Sequence, residues 1–142
     1  MTQKYITHSQ AETEALGEEI SKHIGPGDVV VFYGELGAGK TAFSRGVLRG
    51  LGYTGDVTSP TFTIVNEYRG NVVEAAHFDM YRIDSDDALY STGYYDYLDG
   101  KLVVLIEWGQ NIEWALENDI IKINISGSGD SERTITVEGL EL

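Results

Sequence analysis

The sequence predicts one α/β domain with a mixed central β-sheet that is flanked by helices. A chain of 142 residues fits one domain with a single core. In the first half, short apolar strands alternate with amphipathic helices, which favours parallel strands with helices packed against them. Hairpin patterns in the middle and at the end of the chain add antiparallel strands. We therefore expect residues 1–142 to fold as one domain.

The first 51 residues predict a helix, a strand, a glycine-rich loop and a second helix, in that order. Ser9-Gln10-Ala11-Glu12 is a capping box, and an apolar stripe follows it as far as the Gly25-Pro26-Gly27 stop. Residues 28–33 form a short, continuous apolar run that is typical of a buried strand. The glycine-rich stretch 34–39 leads from this strand into a helix that ends at Leu51.

The rest of the chain predicts mostly strands. The pattern predicts strands at 62–68 and 71–78, a short helix at 84–90, a strand at 102–106, a helix at 110–116 and a hairpin of 120–125 with 133–137. The run Leu102 to Ile106 is apolar throughout, so we expect that strand to be covered on both faces.

Composition excludes several classes of protein. The 23 acidic and 10 basic residues give a net charge of −13, so DNA, RNA and anionic membranes would be repelled. The chain has no cysteine, and its three histidines are scattered, so no zinc site is expected. Neither a secretory signal nor an apolar run of membrane-spanning length is visible, and we expect a cytoplasmic protein without membrane contact.

The sequence from Gly34 to Thr41 matches the phosphate-binding loop G-x-x-x-x-G-K-[ST]. Glycines let backbone amides approach phosphate oxygens, and the following helix directs its positive end at the same phosphates. Lys40 is expected to reach the β- and γ-phosphates, and the Thr41 hydroxyl to hold Mg²⁺. The alternative is a glycine-rich strand-to-helix turn without a ligand.

Two carboxylates follow predicted strands and are candidates to complete this site. Glu107 comes directly after the apolar run 102–106, and it would hold Mg²⁺ through a water or orient the attacking water. Asp79 closes the strand 71–78 and is a candidate ligand for a hard cation. Strand alternation places His77, Asp79 and Tyr81 on one face, where His77 would orient Asp79 or the nucleotide. The alternatives are a surface glutamate and a core histidine with satisfied hydrogen bonds.

Two further segments are functional candidates. Ser59-Pro60-Thr61-Phe62 follows the loop after the phosphate-binding helix, where a hydroxyl can sense the γ-phosphate. Five aromatic residues lie near an acidic stretch in which residues 84–99 contain no basic side chain; they are Tyr90, Tyr94, Tyr95, Tyr97 and Trp108. This cluster is either part of the core or a docking surface, and we favour the core.

Absent motifs narrow the nucleotide chemistry. The chain contains no Asn-Lys-x-Asp motif, so a GTPase has little support. It also lacks an arginine-rich segment, which disfavours a P-loop kinase that must clamp two anionic substrates. An ATPase is the favoured interpretation. The alternatives are a nucleotide-sensing interaction module with little hydrolysis and a small-molecule kinase.

Four motifs, in this order and spacing, carry a resemblance to a known family. They are the phosphate-binding loop, Ser59-Pro60-Thr61-Phe62, His77-x-Asp79-x-Tyr81-Arg82 and Ile106-Glu107-Trp108-Gly109. Together they resemble the bacterial TsaE family, the ATPase subunits of tRNA threonylcarbamoyladenosine (t6A) biosynthesis. The resemblance implies a P-loop NTPase fold, binding of ATP and Mg²⁺, and weak, partner-stimulated hydrolysis. It implies a TsaD-type transferase and a TsaB-type paralogue as partners, with tRNA reached only through them.

The resemblance also assigns roles to residues. It implies Lys40, Glu107 and Asp79 as catalytic residues, and Thr41, Glu107 and Asp79 as metal-binding residues. The nucleotide-binding residues that it implies are Glu35, Leu36, Gly37, Ala38, Gly39, Lys40, Thr41 and Thr61. The sequence departs from the family pattern at Tyr90, where an acidic residue is usual, and at Gln110-Asn111, so partner contacts are where we expect differences.

Overall fold

The computed structural model describes residues 2–34, 39–57, 60, 64–69, 73–117, 119–128 and 132–140. Its strands are β1 Thr2–Thr7, β2 Val29–Gly34, β3 Val65–Arg69, β4 Glu74–Asp79, β5 Val103–Glu107, β6 Ile121–Ser128 and β7 Glu132–Glu138. Its helices are α1 Gln10–Ser21, α2 Lys40–Gly50 and α3 Asp86–Ser91, with 3-10 helices at Tyr94–Tyr97 and Gly109–Ala115. No helix within these described ranges is both long enough and apolar enough to cross a membrane.

All seven strands belong to one mixed sheet in the order β1-β7-β6-β2-β5-β4-β3. The central strands β6, β2, β5 and β4 are parallel, whereas β7 and β1 on one side and β3 on the other are antiparallel to their neighbours. The predicted mixed α/β sheet is therefore confirmed. Because the central strands are parallel, their carboxyl ends meet at one edge of the sheet, which is where open α/β sheets bind ligands.

Each face of the sheet carries its own hydrophobic core. Helices α1 and α2 cover one face and pack on side chains such as Phe32 and Leu105. On the other face, α3 and the two 3-10 helices contribute Leu89, Tyr94 and Ile112 to a second cluster. Strands β2 and β5 lie between the two layers, which explains why their sequences are continuously apolar rather than alternating.

Helices α1 and α2 approach each other through glycines. A Cβ atom on Gly17 would lie 2.4 Å from the Phe43 carbonyl oxygen, and one on Gly46 would lie 1.9 Å from the Glu14 carbonyl oxygen. One turn further along α2, a Cβ on Gly50 would lie 1.7 Å from the Ser21 hydroxyl oxygen. At Gly17 and Gly46 no side chain fits between the two backbones, and at Gly50 the Ser21 side chain fills the space. The contact between the helices therefore determines where α2 lies on the sheet.

Most predicted elements are present, and several bounds differ. The Ser9 hydroxyl accepts a hydrogen bond from the Glu12 amide, as the capping box predicts, but α1 ends at Ser21, before Ile24. Strand β1 was not predicted. The predicted helix 110–116 is a 3-10 helix that is kinked at Ile112. The sequence predicts a turn at Arg69-Gly70-Asn71 between β3 and β4; Arg69 is the last residue of β3, and Gly70 and Asn71 lie outside the described residues.

Two predictions on aromatic residues need correction. Tyr81 does not share the strand face of His77 and Asp79, because β4 ends at Asp79 and Tyr81 lies in the following turn. The aromatic cluster is only partly core. Tyr94 is fully buried, whereas Tyr90 is 73% exposed.

Candidate functional site

The start of α2 lies at the carboxyl edge of the sheet, where Lys40 Nζ contacts the Gly34 carbonyl oxygen at the end of β2. Gly39 precedes the helix with a φ of 100°, a left-handed conformation that glycine adopts without strain, and no side chain caps the helix. The first amide groups of α2 are therefore available to an anion at the end where the helix dipole is positive. Residues 35–38, which include the predicted ligands Glu35, Leu36, Gly37 and Ala38, lie outside the described residues.

Gly34 is required by the packing of β2 against β6. Its φ is 135°, and a Cβ atom here would lie 2.0 Å from the carbonyl oxygen of Ile125. Any other residue would push the end of β2 away from its neighbour. The first glycine of the motif therefore fixes where the chain leaves the sheet.

The Lys40 side chain is buried at this edge. It is 5% exposed, and its Nζ donates to the Gly34 carbonyl oxygen over 3.4 Å. The same Nζ lies 5.2 Å from the centroid of the Trp108 ring. Among the described residues, no carboxylate lies within 4.0 Å of this ammonium group. A buried cation without a counter-ion is unfavourable by itself, and an anion at the loop would compensate for its charge.

Asp79 and Glu107 lie side by side at the same edge. They are register partners at the ends of the parallel strands β4 and β5, and they are 7% and 6% exposed. Asp79 Oδ1 accepts a hydrogen bond from the Tyr81 amide over 2.8 Å, which holds one of its oxygens in place. Glu107 is also in register with Phe32, two residues before Gly34. Glu107 therefore lies beside the strand that leads into the phosphate-binding motif, and Asp79 lies one strand further away.

His77 lies behind Glu107. The His77 Nε2 and Glu107 Oε2 atoms are 3.1 Å apart, and both side chains are almost fully buried. Their orientation falls outside hydrogen-bond geometry, so these two atoms and His77 Nδ1 have no hydrogen-bond partner among the described residues. Buried polar atoms without partners are rare in folded proteins and are frequent where a site is built for a ligand. The His77 ring nitrogen Nε2 therefore lies next to the Glu107 carboxylate without a hydrogen bond between them.

Trp108 and Tyr81 form a wall beside Lys40. Trp108 has a φ of 62°, which is uncommon for a bulky residue, and this conformation directs the chain from β5 into Gly109. The rings of Tyr81 and Trp108 meet edge to face at 4.8 Å. The Asn111 side-chain amide donates to the Tyr81 carbonyl oxygen over 3.1 Å, which fixes the turn after β4. Sequence reasoning missed the contact between Trp108 and Lys40, because only the packing of β5 against α2 brings them together.

The oxygen-bearing side chains at this edge match the kind of ligands that Mg²⁺ takes beside a nucleotide. Within the part of the chain that the structure describes, no group of three or more acidic or histidine side chains is arranged to hold a metal alone. Mg²⁺ in nucleotide sites is typically held by one or two carboxylates together with phosphate oxygens and waters. Thr41, which is half-buried in the first turn of α2, and the two strand-end carboxylates fit that pattern.

Within the predicted γ-phosphate segment Ser59-Pro60-Thr61-Phe62, the structure describes Pro60 alone. Thr61 and its neighbours Ser59 and Phe62 lie outside the described residues. Ile64 has a φ of 71°, a strained conformation for a β-branched residue. Its amide donates to the Pro60 carbonyl oxygen and its carbonyl oxygen accepts from the Asp79 amide, each over 2.8 Å. Ile64, two positions after this segment, is therefore hydrogen-bonded to the backbone of Asp79, a candidate metal ligand.

One titratable group beside the site has a raised pKa. Burial, reinforced by the nearby Glu113 carboxylate, raises the pKa of Tyr33 to about 12. The Tyr33 hydroxyl donates to Glu113 over 3.3 Å, so the residue before Gly34 stays neutral under ordinary conditions.

The mixed sheet and the strand–glycine–helix edge define the class of this protein as a P-loop NTPase fold. Comparison with known proteins agrees. The family described as threonylcarbamoyl adenosine biosynthesis protein TsaE matches residues 7–135. The chain therefore belongs to the TsaE family.

Individual relatives agree with this assignment. The tRNA threonylcarbamoyladenosine biosynthesis protein TsaE of Bacillus subtilis is 41% identical over 133 residues, which cover 94% of this chain and 83% of that protein. The protein of the same name from Treponema pallidum is 34% identical over 132 residues, covering 93% and 97% of the two chains. The crystal structure of YdiB from Bacillus subtilis superposes with a TM-score of 0.82 at 37% identity and covers 96% of this chain and 84% of that chain.

Proposed function

We propose that this protein binds ATP with Mg²⁺ and hydrolyses it slowly as the ATPase subunit of t6A biosynthesis. In this proposal it acts through a TsaD-type transferase and a TsaB-type paralogue. The observation that carries the proposal is the buried Lys40 ammonium at the uncapped start of α2, next to two buried carboxylates at the ends of neighbouring parallel strands. Membership of a family named for threonylcarbamoyl adenosine biosynthesis supports the pathway.

Each residue has a role that follows from its place. Lys40 and the first amides of α2 would neutralise phosphate charge, which is the main requirement of phosphoryl transfer to water. Thr41, Asp79 and Glu107 would hold Mg²⁺, and the bound ion would supply further charge stabilisation on the phosphates. Glu107 would also orient the attacking water, with His77 behind it. The hydrogen bond from the Tyr81 amide would keep the Asp79 carboxylate in a fixed orientation.

The charge of the chain supports action through partners. A net charge of −13 disfavours direct binding of tRNA, so a tRNA-modifying role requires other subunits to hold the RNA. Partner binding would then couple the nucleotide bound to this subunit to the enzyme that holds the tRNA.

The test is a titration with a fluorescent ADP analogue in the presence and absence of Mg²⁺, followed by multiple-turnover phosphate release with and without the transferase pair. We expect Lys40→Ala to abolish both binding and turnover, and the exposed Lys101→Ala to change neither. Wild-type protein that binds no nucleotide with Mg²⁺, or a Lys40→Ala variant with full activity, would overturn the proposal.

A nucleotide-sensing module with little hydrolysis is the second candidate. The misalignment of His77 and Glu107 favours it, because the carboxylate that should orient water is not held in hydrogen-bond geometry. Single-turnover phosphate release separates the two candidates. Tight nucleotide binding without release, even in the presence of the transferase pair, would identify a sensor.

A further inference from the structure

Large exposed apolar side chains are concentrated on one side of this protein. The described residues include five such side chains, of which Ile6 on β1 is one. The other four are Tyr81, Tyr90, Tyr95 and Trp114, which are 59%, 73%, 38% and 54% exposed. These four lie in the turn after β4, at the end of α3 and in the two 3-10 helices, which are the elements that cover the second face of the sheet.

Direct contacts join three of these residues, and two of the three share one carboxylate. The rings of Tyr90 and Tyr95 lie 6.2 Å apart. Asp86 Oδ1 accepts a hydrogen bond from the Tyr95 hydroxyl over 2.7 Å and another from Trp114 Nε1 over 3.3 Å. We call the set Tyr90, Tyr95, Trp114 and Asp86 the aromatic–acidic surface. The Tyr95 and Trp114 rings are held at their polar ends, and all three rings are exposed, which is how tyrosine and tryptophan act as anchors in interfaces.

The stretch of chain that carries Asp86, Tyr90 and Tyr95 has charge of one sign. Residues 83–100 contain five aspartates and no lysine, arginine or histidine. Asp84, Asp87 and Asp96 are exposed in addition to Asp86. This field repels phosphates and attracts basic groups, so the surface is complementary to a basic protein and not to nucleic acid.

The aromatic–acidic surface continues into the wall of the nucleotide site. Trp114 and Asn111 lie on the same 3-10 helix, and Asn111 donates to the Tyr81 carbonyl oxygen. Tyr81 packs on Trp108, whose ring lies over Lys40. A partner seated on this surface would therefore touch elements that are in contact with the phosphate-binding lysine.

We infer that the aromatic–acidic surface is a docking site for a protein partner with a basic, cleft-bearing surface, into which Tyr90 and Trp114 insert. The inference deepens the proposed function, because it assigns the place where the transferase pair binds. Salt weakens the association, because opposite charges steer it, while the aromatic anchors determine how long the complex lasts.

The test measures binding of the purified transferase pair to labelled wild-type protein and to variants by surface plasmon resonance. We expect Trp114→Ala and Tyr90→Ala each to weaken binding at least about tenfold, mainly by faster dissociation. Ile6→Ala, which removes an equally exposed apolar side chain from β1, should leave the affinity within about twofold.

Charge is tested by a matched pair of reversals. Asp84→Lys should slow association several-fold and reduce its dependence on salt. Glu18→Lys makes the same change at an exposed position on α1 and should have little effect. Circular dichroism and nucleotide titration of every variant verify that the fold and the nucleotide site are intact.

The outcomes separate this inference from the proposed function. Surface variants that bind the pair as tightly as wild type overturn the docking site and leave the ATPase proposal standing. Wild-type protein that binds nucleotide but not the pair overturns both the docking site and the partner assignment. Wild-type protein that binds the pair but no nucleotide overturns the ATPase proposal, while the variants still decide the docking site. Binding of tRNA that is lost in the same variants would overturn the basic-protein assignment.

Discussion

Substitution of Gly46 by alanine tests whether the close contact of α1 and α2 holds the phosphate-binding helix in place. The added Cβ would lie 1.9 Å from the Glu14 carbonyl oxygen and 3.0 Å from the Glu18 amide nitrogen. Cβ atoms essentially never approach another heavy atom within 3.0 Å, so the helices must separate by about 1.1 Å at this point. The obstacle is backbone, and a rotamer change therefore cannot relieve it.

The magnitude follows from two opposing effects. Alanine in place of glycine stabilises a helix by about 1 kcal/mol. Overpacking a close-packed core costs about 1–3 kcal/mol when side chains can adjust, and more when backbone must move. We expect the free energy of unfolding to fall by at least about 2 kcal/mol, which corresponds to a drop in Tm of roughly 6–8 °C for a chain of this size.

The assay is urea and thermal unfolding of Gly46→Ala next to Gly25→Ala. No atom lies within 4 Å of a Cβ built on Gly25, so the control should be neutral or stabilised by up to about 1 kcal/mol. Because Lys40 begins the same helix, Gly46→Ala should also weaken ADP binding. If Gly46→Ala is as stable as Gly25→Ala, the helix contact does not constrain α2 and the reasoning is refuted.

Three further predictions concern the site and its surroundings. Glu107→Gln should retain nucleotide binding and lose phosphate release, and full-rate release would remove Glu107 from the mechanism. His77→Phe should lower kcat about 10–100-fold with little change in KM. His77→Gln keeps a hydrogen-bond donor near Glu107 and should recover part of the lost kcat. Equal kcat values for the two variants would contradict a positioning role for His77. Burial raises the pKa of Tyr94 to about 12, so the folded state holds this proton more tightly than the unfolded state. The contribution of Tyr94 to the free energy of unfolding should therefore be constant below pH 10 and fall as the pH rises from 10 towards 12. Chemical unfolding of wild type and Tyr94→Phe at a series of pH values measures this contribution, and a difference that stays constant above pH 10 would show that the reasoning is wrong.

The sequence predicts the central strands well and the outer strand poorly, for a physical reason. Strands β2 and β5 are covered on both faces, so their own residues carry the signal, and their predicted bounds differ by one residue from those observed. Strand β1 pairs with β7, and its partner residues are 126 to 136 positions apart, from Thr7 with Arg133 to Thr2 with Glu138. Its Ile6 points outward and is 53% exposed, so the local pattern does not indicate a buried face.

The candidate site likewise contains residues that the sequence predicts and a contact that it does not predict. Lys40, Asp79 and Glu107 were predicted because a short motif or the end of an apolar strand marks each of them, and the structure brings the latter two together in register. The approach of Trp108 to Lys40 could not be predicted, since it depends on how two separate elements pack. The glycine contact did leave a signal that was missed, because Gly46 and Gly50 lie one turn apart on a helix where glycine is otherwise unfavourable.

The distribution of unfavourable features argues that the carboxyl edge of the sheet is shaped by function. Elsewhere among the described residues, Ser44 Oγ is the one buried side-chain polar atom without a hydrogen-bond partner, whereas the Thr7 and Thr13 hydroxyls, for example, are paired at 2.7 Å. Among the described residues, the carboxyl edge instead has a buried lysine with no carboxylate within ion-pair distance, and a histidine and a glutamate that are not aligned for a hydrogen bond. It also has two residues with positive φ that are not glycine, Trp108 and Ile64. A chain selected only for stability would lose such features, because each one raises the free energy of the folded state. Their concentration around the phosphate-binding motif is what a site that is completed by an anionic ligand requires.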